Sequence, residues 1–251
     1  MSGHSHWATI RRKKGAADAK RGQVFTRLAR EIVIAAREGG GDPDSNMRLA
    51  LAVDRARANN MPKENIERAI KRGTGDSKDG TTIEEAVYEG YAPHGVAVLI
   101  SVVTDNRNRT VAEVRHVLSR SGGNMAEAGS VSWQFKRVAF FGFELGKSDP
   151  DKIFELAVEA GADDVTFDDN WVEIIGPVES FKEISDALKA THISPEDAEL
   201  RFVANNETEL SDSDTIQVYK VIEALEELDD VQNVYSTLAI SDSAMAQLEA
   251  A

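Results

Sequence analysis

The sequence has no cysteine, six prolines and only 6% aromatic residues. Without cysteine there is no disulfide, no thiolate nucleophile and no cysteine-based metal or iron–sulfur site. The chain also lacks an apolar run near the ~18 residues that a membrane-spanning helix requires; the longest run, VAVLISVV at 96–103, has the length of a strand. The remaining composition, 41% hydrophobic and 29% charged over 251 residues, is typical of a globular protein with two or three modules.

Patterns that mark enzymes are missing as well. None of the five histidines lies in an H-E-x-x-H sequence, and neither a P-loop nor a strand-anchored G-x-G-x-x-G occurs. We therefore expect no enzymatic activity, no catalytic residues, no metal site, no cofactor and no small-molecule substrate. The absence of a hydrophobic N-terminal segment and of membrane spans predicts a cytoplasmic protein without a membrane partner.

Positive charge is concentrated at one end of an acidic chain. The net charge is -14, yet residues 1–80 carry 17 lysines and arginines against 10 acids, and the rest carries 12 against 33. Because charges are screened within about 8–10 Å at cellular salt, the local surplus decides what the N-terminal region binds. A polyanion such as nucleic acid is compatible with this end and would be repelled by the remainder.

The densest cations lie in the segment GHSHWATIRRKKGAADAKRG at residues 3–22. Consecutive basic side chains cannot all pack inward, so we predict that they contact nucleic-acid phosphates, with Trp7 stacking on an unpaired base. The alternative is a solvated basic tail that balances the acidic body, with Trp7 packed on the helical region. The predicted cations of this segment are Arg11, Arg12, Lys13, Lys14, Lys20 and Arg21.

Residues 1–80 are predicted to form an all-helical domain. A helix from about Gln23 to Glu38 would place Phe25, Leu28 and Ile32 inward. The opposite side would be basic and would extend the nucleic-acid-binding surface, although Ile34 interrupts it. A second helix is predicted to start at Ser45 as N-cap, with Met47, Ala50, Leu51 and Asp54 inward, and a third follows Asn60. The predicted cations of the basic side are Lys20, Arg27, Arg30 and Arg37.

The remainder alternates between strands and helices. Residues 96–105 are predicted to form a buried strand. A helix is predicted to follow it, starting with a capping box from Thr110 to Glu113. The segment SVSWQF at 130–135 is predicted to be a strand with Val131, Trp133 and Phe135 on one face. Two βαβ-type halves follow and indicate a ferredoxin-like unit. Because the last helix and strand cannot bury their apolar faces alone, we predict that they join the sheet of residues 96–135.

These patterns predict an α+β fold of three domains. An N-terminal all-helical basic domain spans residues 1–80, a discontinuous α/β domain spans 81–136 and 205–251, and a ferredoxin-like α/β domain, 137–204, is inserted in it.

A second basic cluster, TDNRNRT at 104–110, lies where a strand meets a helix. Arg107 and Arg109 would stand near the free N–H groups of the helix start, which is a possible anion site. The alternative is that these arginines bridge domains, and the sequence leaves both possibilities open.

Six segments together resemble the YebC/PmpR family in order and spacing over nearly the whole chain: GHSHWATIRRKKGAADAKRGQVFTRLAREI, GGGDPDSNMRL, NNMPKENIERAIKRGTG, YEGYAPHGVAV, TDNRNRTVAEVRH and GGNMAEAGSVSWQF. The resemblance implies an N-terminal helical domain, a second α/β domain with a third inserted in it, and no enzymatic activity. Family members commonly carry Lys where this chain has His6, so one cation of the family pattern is absent here at neutral pH.

The family resemblance also implies a function. Bacterial relatives are described as cytoplasmic DNA-binding transcriptional regulators, whereas others, including a mitochondrial translational activator, act on ribosomes during synthesis of difficult segments such as proline runs. Because the family pattern begins at Gly3, we expect a bacterial cytoplasmic member. A DNA-binding transcriptional regulator is the first expectation and a ribosome-associated factor that binds ribosomal RNA is the second. A protein-interaction module, with its basic face neutralised by its own acidic domains, is the third.

Overall fold

The computed structural model describes residues 19–75, 83–168 and 170–250. It is an α+β structure with helices and two four-stranded sheets, and it confirms the predicted fold class. The chain forms two compact units: one is Phe135–Val203, and the other comprises the described residues on either side of it.

From residue 19 onward, where the described part of the larger unit starts, the first elements are three helices. They are α1 (Ala19–Gly39), α2 (Met47–Ala58) and α3 (Lys63–Gly73). The predicted N-cap of α2 is wrong by one residue: Asn46 accepts a hydrogen bond from the N–H of Leu49, and Ser45 instead bonds to Asp42. The inward stripe of α2 is also shifted, since its buried residues are Leu49, Ala52, Val53 and Ala56. This shift leaves Met47 exposed.

The first sheet follows the helices. Its strands are β1 (Glu84–Tyr91), β2 (Ala97–Thr104), β3 (Asn124–Met125) and β8 (Val231–Ser236), in the order β3-β1-β2-β8. The described part of the larger unit has three further α-helices, α4 (Arg107–Arg120), α7 (Asp212–Glu226) and α8 (Asp242–Ala250). The pairing of β8 with β2 confirms that the last strand returns to the earlier sheet. The strand β1 and the helix α8 were not predicted.

The two faces of this sheet have different neighbours. Val98, Ile100 and Val102 of β2 belong to the hydrophobic core that α4 and α7 also line. On the other face, Val103 shares a second core with Ile34 of α1 and with the α2 and α3 helices. The helical region therefore packs on the second face of the sheet.

The smaller unit has a second sheet. Its elements are β4 (Phe135–Glu144), α5 (Pro150–Glu159), β5 (Asp164–Asp168), β6 (Trp171–Gly176), α6 (Phe181–Ala190) and β7 (Asp197–Ala204). The chain order βαββαβ and the strand order β5-β6-β4-β7 are those of a ferredoxin-like unit. Its position in the sequence, between the parts of the larger unit, confirms that it is inserted.

The segment predicted as the strand SVSWQF is not extended. Ser132–Gln134 forms a short 3-10 turn, and β4 begins only at Phe135. Val131 is buried, whereas Trp133 is 70% exposed, so the two side chains do not share a buried face.

Candidate nucleic-acid interface

The predicted basic side of α1 is only partly open to solvent. Ile34, which lies on that side, is fully buried because this face of α1 packs towards β2. Arg27 is half-buried, Arg30 has a side-chain exposure of 19%, and Arg37 is exposed. The structure thus separates arginines that the helical periodicity had placed together.

Arg30 and Arg109 meet at one buried carboxylate. Asp230, 1% exposed, lies just before β8, and its side chain is 3.0 Å from a guanidinium nitrogen of Arg30 and 2.7 Å from one of Arg109. The hydroxyl groups of Thr104 and Thr110 donate hydrogen bonds to it at 2.9 and 2.7 Å. Arg30 also donates to the main-chain carbonyl of Asp229. We call these five side chains, Arg30, Thr104, Arg109, Thr110 and Asp230, the Asp230 cluster.

The hydrogen bonds and positive charges of the Asp230 cluster compensate the burial of the Asp230 carboxylate. Burial alone would raise the pKa of Asp230, but hydrogen bonds from Arg109, Thr110 and Thr104 and the positive charge of Arg30 outweigh it and lower that pKa. The carboxylate therefore stays ionised and connects α1 to α4 and β8. An adjacent open groove of about 520 Å³ is lined mainly by acids, which makes it a poor phosphate site.

The predicted start of α4 is also corrected. The N-cap is Asn106, four residues before the predicted N-cap Thr110, and its side chain accepts from the N–H of Arg109. Thr110 instead donates to Asp230. Arg107 is ion-paired with Glu84 at 2.6 Å, and Arg109 contacts Asp105 at 3.0 Å as well as Asp230. Both arginines of the predicted anion site thus have carboxylate partners.

Exposed cations lie where α1 and α3 end side by side. At Gly73 of α3 a Cβ atom would lie 2.5 Å from the carbonyl oxygen of Val33 and 2.7 Å from Ala36 Cβ, so only glycine permits this approach. Arg37 in the last turn of α1 and Lys71 in the last turn of α3 are both exposed. Cations at these positions are stabilised by the negative ends of the two helix dipoles. Arg37 and Lys71 are thus two exposed cations at this end of the helical region.

Several predicted binding residues lie outside the described part of the chain. They are Trp7, Arg11, Arg12, Lys13 and Lys14. Lys20 and Arg21 lie in the first turn of α1, where only the backbone is described.

Sequence reasoning missed one exposed feature, the segment 126–134, which we call the Trp133 loop. Glu89 of β1 is buried beneath it and accepts hydrogen bonds from the N–H groups of Gly129, Val131 and Ser132 at 2.7, 2.6 and 3.0 Å. Burial would raise the pKa of Glu89, but these backbone donors lower it. The sequence of β1, EEAVYEGY, offers little signal for this role, because Glu84 and Glu85 of the same strand are exposed and only the fold shows that Glu89 is the buried carboxylate that requires donors.

The described residues contain neither a metal-binding cluster nor a membrane-spanning helix. Within 19–75, 83–168 and 170–250, no group of three or more His, Asp or Glu side chains is arranged to hold a metal ion. Over the same ranges no helix combines the length and apolar character needed to cross a bilayer.

The fold and this surface define a class: a multidomain α+β protein with a cation-rich helical N-terminal region and an inserted ferredoxin-like unit. Residues 5–76 match the model of the TACO1/YebC protein N-terminal domain, and residues 83–238 match that of the TACO1/YebC second and third domain. The chain belongs to the TACO1/YebC family.

Known relatives cover its full length. It is 51% identical over 250 residues to a probable transcriptional regulatory protein of Acidithiobacillus ferrooxidans, covering 100% of this chain and 99% of the relative. It is 48% identical over 248 residues to one of Geotalea uraniireducens, covering 99% of this chain and 100% of the relative. The crystal structure of a conserved hypothetical protein from Aquifex aeolicus is similar, with a TM-score of 0.84, 40% identity and coverage of 91% and 94% of the two chains.

Proposed function

We propose that the protein is a DNA-binding transcriptional regulatory protein that holds the phosphate backbone through its basic N-terminal helical domain. The observation that carries this proposal is the charge division: residues 1–80 have 17 bases and 10 acids, whereas the rest has 12 and 33. The names of the relatives, probable transcriptional regulatory proteins, support the regulatory role.

The proposed phosphate contacts differ in how available their side chains are. The run Arg11, Arg12, Lys13 and Lys14 supplies the largest local charge, and Lys20 and Arg21 continue it. Arg37 extends this charge into folded structure, because it is exposed. Arg30 is assigned a different role, since its guanidinium contacts Asp230 and the carbonyl of Asp229. In the proposal Arg30 positions α1, and Arg37 contacts phosphate.

The salt dependence of binding tests this proposal. Replacing Arg11, Arg12, Lys13 and Lys14 by Ala should weaken binding to all duplex sequences similarly and reduce the slope of log K against log salt by up to ~0.9 per lost contact. A matched variant replaces four exposed lysines of the inserted unit, Lys147, Lys152, Lys182 and Lys189, and changes the net charge equally. That variant should keep the slope of the parent protein. If the variant that lacks the cations of residues 11–14 keeps the salt slope of the parent protein, those residues do not contact phosphate.

The second candidate is a ribosome-associated factor that grips ribosomal RNA with the same cations. The observation that favours it is the exposed Trp133, because protein aromatic rings stack on unpaired bases, which folded RNA offers and a continuous duplex does not. Sedimentation of cell lysate separates the two candidates. Cosedimentation with ribosomes that RNase abolishes supports the RNA candidate, and release by DNase alone supports the DNA candidate.

A further inference from the structure

Trp133 is the most exposed of the large apolar side chains in the described part of the chain, with 70% of its surface open to solvent. Its indole N–H donates to the carbonyl oxygen of Ser130 at 2.9 Å. The one polar atom of the ring is therefore satisfied within the loop. What the side chain offers a partner is a flat aromatic surface.

The fold holds this indole in place from both sides. Glu89 binds three backbone N–H groups of the Trp133 loop. The side-chain amide of Asn205 donates to the carbonyl of Trp133 at 3.0 Å, and the backbone N–H of Asn205 donates to the carbonyl of Gln134 at 2.7 Å. A loop ordered before binding loses little conformational entropy when a ligand arrives, so this arrangement suits recognition.

The Trp133 loop and the helical region share one face of the first sheet. Side chains alternate along β1, so Glu85, Val87 and Glu89 lie on the same face. Glu85 is ion-paired with Arg48 of α2 at 2.9 Å, Glu89 holds the Trp133 loop, and Val87 between them is exposed. Four residues of strand correspond to roughly 13 Å. A single ligand could therefore contact both the helical region and the loop.

The Trp133 loop itself carries little negative charge. Within the Trp133 loop the only charged side chain is Glu127, and the others are small, apolar or neutral polar groups. The negative charge of Glu89 is buried and compensated by backbone donors. In a chain whose residues after 80 have a large excess of acids, this loop is a nearly neutral patch.

We infer that the indole of Trp133 is a stacking platform for an unpaired nucleobase. The inference rests on the phosphate-binding part of the proposed function, because the basic N-terminal domain supplies the phosphate contacts for either nucleic acid. Base–aromatic stacking needs an accessible base face, and bases inside a continuous duplex are already stacked on each other. The nucleic acid that can use this platform is therefore one with single-stranded segments, such as the folded RNA of the second candidate.

Fluorescence isolates this indole. Replacing Trp7 by Phe leaves Trp133 and the buried Trp171 as the tryptophans of the full chain. In this background, binding of a dye-labelled single-stranded RNA of twelve nucleotides, followed by anisotropy, should quench tryptophan emission, and duplex DNA of the same length should bind without comparable quenching. Trp133→Ala should weaken RNA binding about tenfold and leave duplex binding within about twofold. Phe154→Ala, which removes another exposed aromatic side chain, should change neither.

The outcomes separate this inference from the proposed function. RNA that raises the anisotropy without quenching, or that binds Trp133→Ala as tightly as the parent, overturns the platform and leaves the phosphate-binding function standing. Quenching by an arginine- or proline-rich peptide but not by RNA overturns it in favour of a protein partner. If neither nucleic acid changes the anisotropy, the proposed function itself fails. The urea midpoint of Trp133→Ala should equal that of the parent, which excludes unfolding as the cause of weaker binding.

Discussion

Two buried carboxylates at opposite ends of the β1–β2 hairpin are compensated in different ways. Asp230, beside the end of β2, is held by two arginines and two threonines. Glu89, near the turn between the strands, is held by backbone N–H groups of the Trp133 loop and by the side chain of Ser132. The first arrangement connects distant elements through charged side chains, and the second shapes a loop without using any cation.

This difference has a consequence for binding. At the Asp230 end, Arg30 and Arg109 are paired with the protein's own carboxylate, so in α1 the arginine that is open to phosphate is Arg37, about two turns beyond Arg30. At the Glu89 end, the carboxylate orders the loop without pairing with a cation, and the exposed side chain of the loop is the aromatic Trp133. The exposed Arg37 of α1 is thus available to phosphate, and the Trp133 loop is available to a base.

The largest effect is expected from breaking the Asp230 cluster. Asp230→Ala should lower the free energy of unfolding by about 3 kcal/mol, because Arg30 and Arg109 would lose their shared counter-charge. Asp229→Ala is the matched control and should change it little, since Arg30 contacts the main-chain carbonyl of Asp229. Urea unfolding monitored by circular dichroism measures both. Similar midpoints for the two variants would mean that the cluster does not secure the helical region.

Packing between α1 and α3 gives the next effect. Gly73→Ala should destabilise the protein by about 2 kcal/mol, because the added methyl group would lie 2.5 Å from the carbonyl of Val33. Gly22→Ala is a control on the same helical region: no atom lies within 4 Å of its Cβ, and alanine favours helix. Thermal unfolding should therefore move in opposite directions for the two variants, and a shift of the same sign would contradict the close approach.

Lowering the pH should reduce the stability that the two buried carboxylates, Glu89 and Asp230, contribute to the folded protein. Glu89 and Asp230 have lower pKa values folded than unfolded, so the stability they contribute is present above the unfolded carboxyl pKa of about 4. It is lost as the pH falls through the lowered folded-state values. The urea midpoint should drop steeply below pH 4 in the parent and less steeply in the double variant Glu89→Gln, Asp230→Asn. An unchanged pH profile in the double variant would show that neither carboxylate contributes.

The smallest effect distinguishes two arginines of α1. Arg37→Ala should reduce the salt slope of duplex binding by up to ~0.9 without changing stability, because the side chain is exposed. Arg30→Ala should leave the slope unchanged and lower the free energy of unfolding by about 1 kcal/mol, because Arg109 still contacts Asp230. The reverse pattern would assign phosphate contact to Arg30.

Local sequence patterns located a helix or strand correctly where the periodicity of that element alone defines it. The predicted helix from about Gln23 to Glu38 lies within α1, and the strand predicted at 96–105 contains β2. Patterns failed where tertiary contacts decided. Ile34 interrupts the basic side of α1 because that side packs on the first sheet. The periodicity of a single helix does not reveal that a sheet will cover one of its polar-looking faces. The alternation of SVSWQF indicated a strand, yet the N–H groups that a strand would pair are bound by Glu89.

By itself, the sequence determined the α+β class, the inserted ferredoxin-like unit and the concentration of cations at the N-terminal end, because periodicity, turn residues and charge are local properties of a chain. Only the tertiary structure decided which cations remain exposed and which aromatic ring faces solvent. Arg30 meets Asp230 across about 200 positions of sequence, and Trp133 is fixed by Glu89 and Asn205, which lie far away along the chain. Contacts between such distant residues depend on how the elements pack, and no short stretch of sequence encodes that packing.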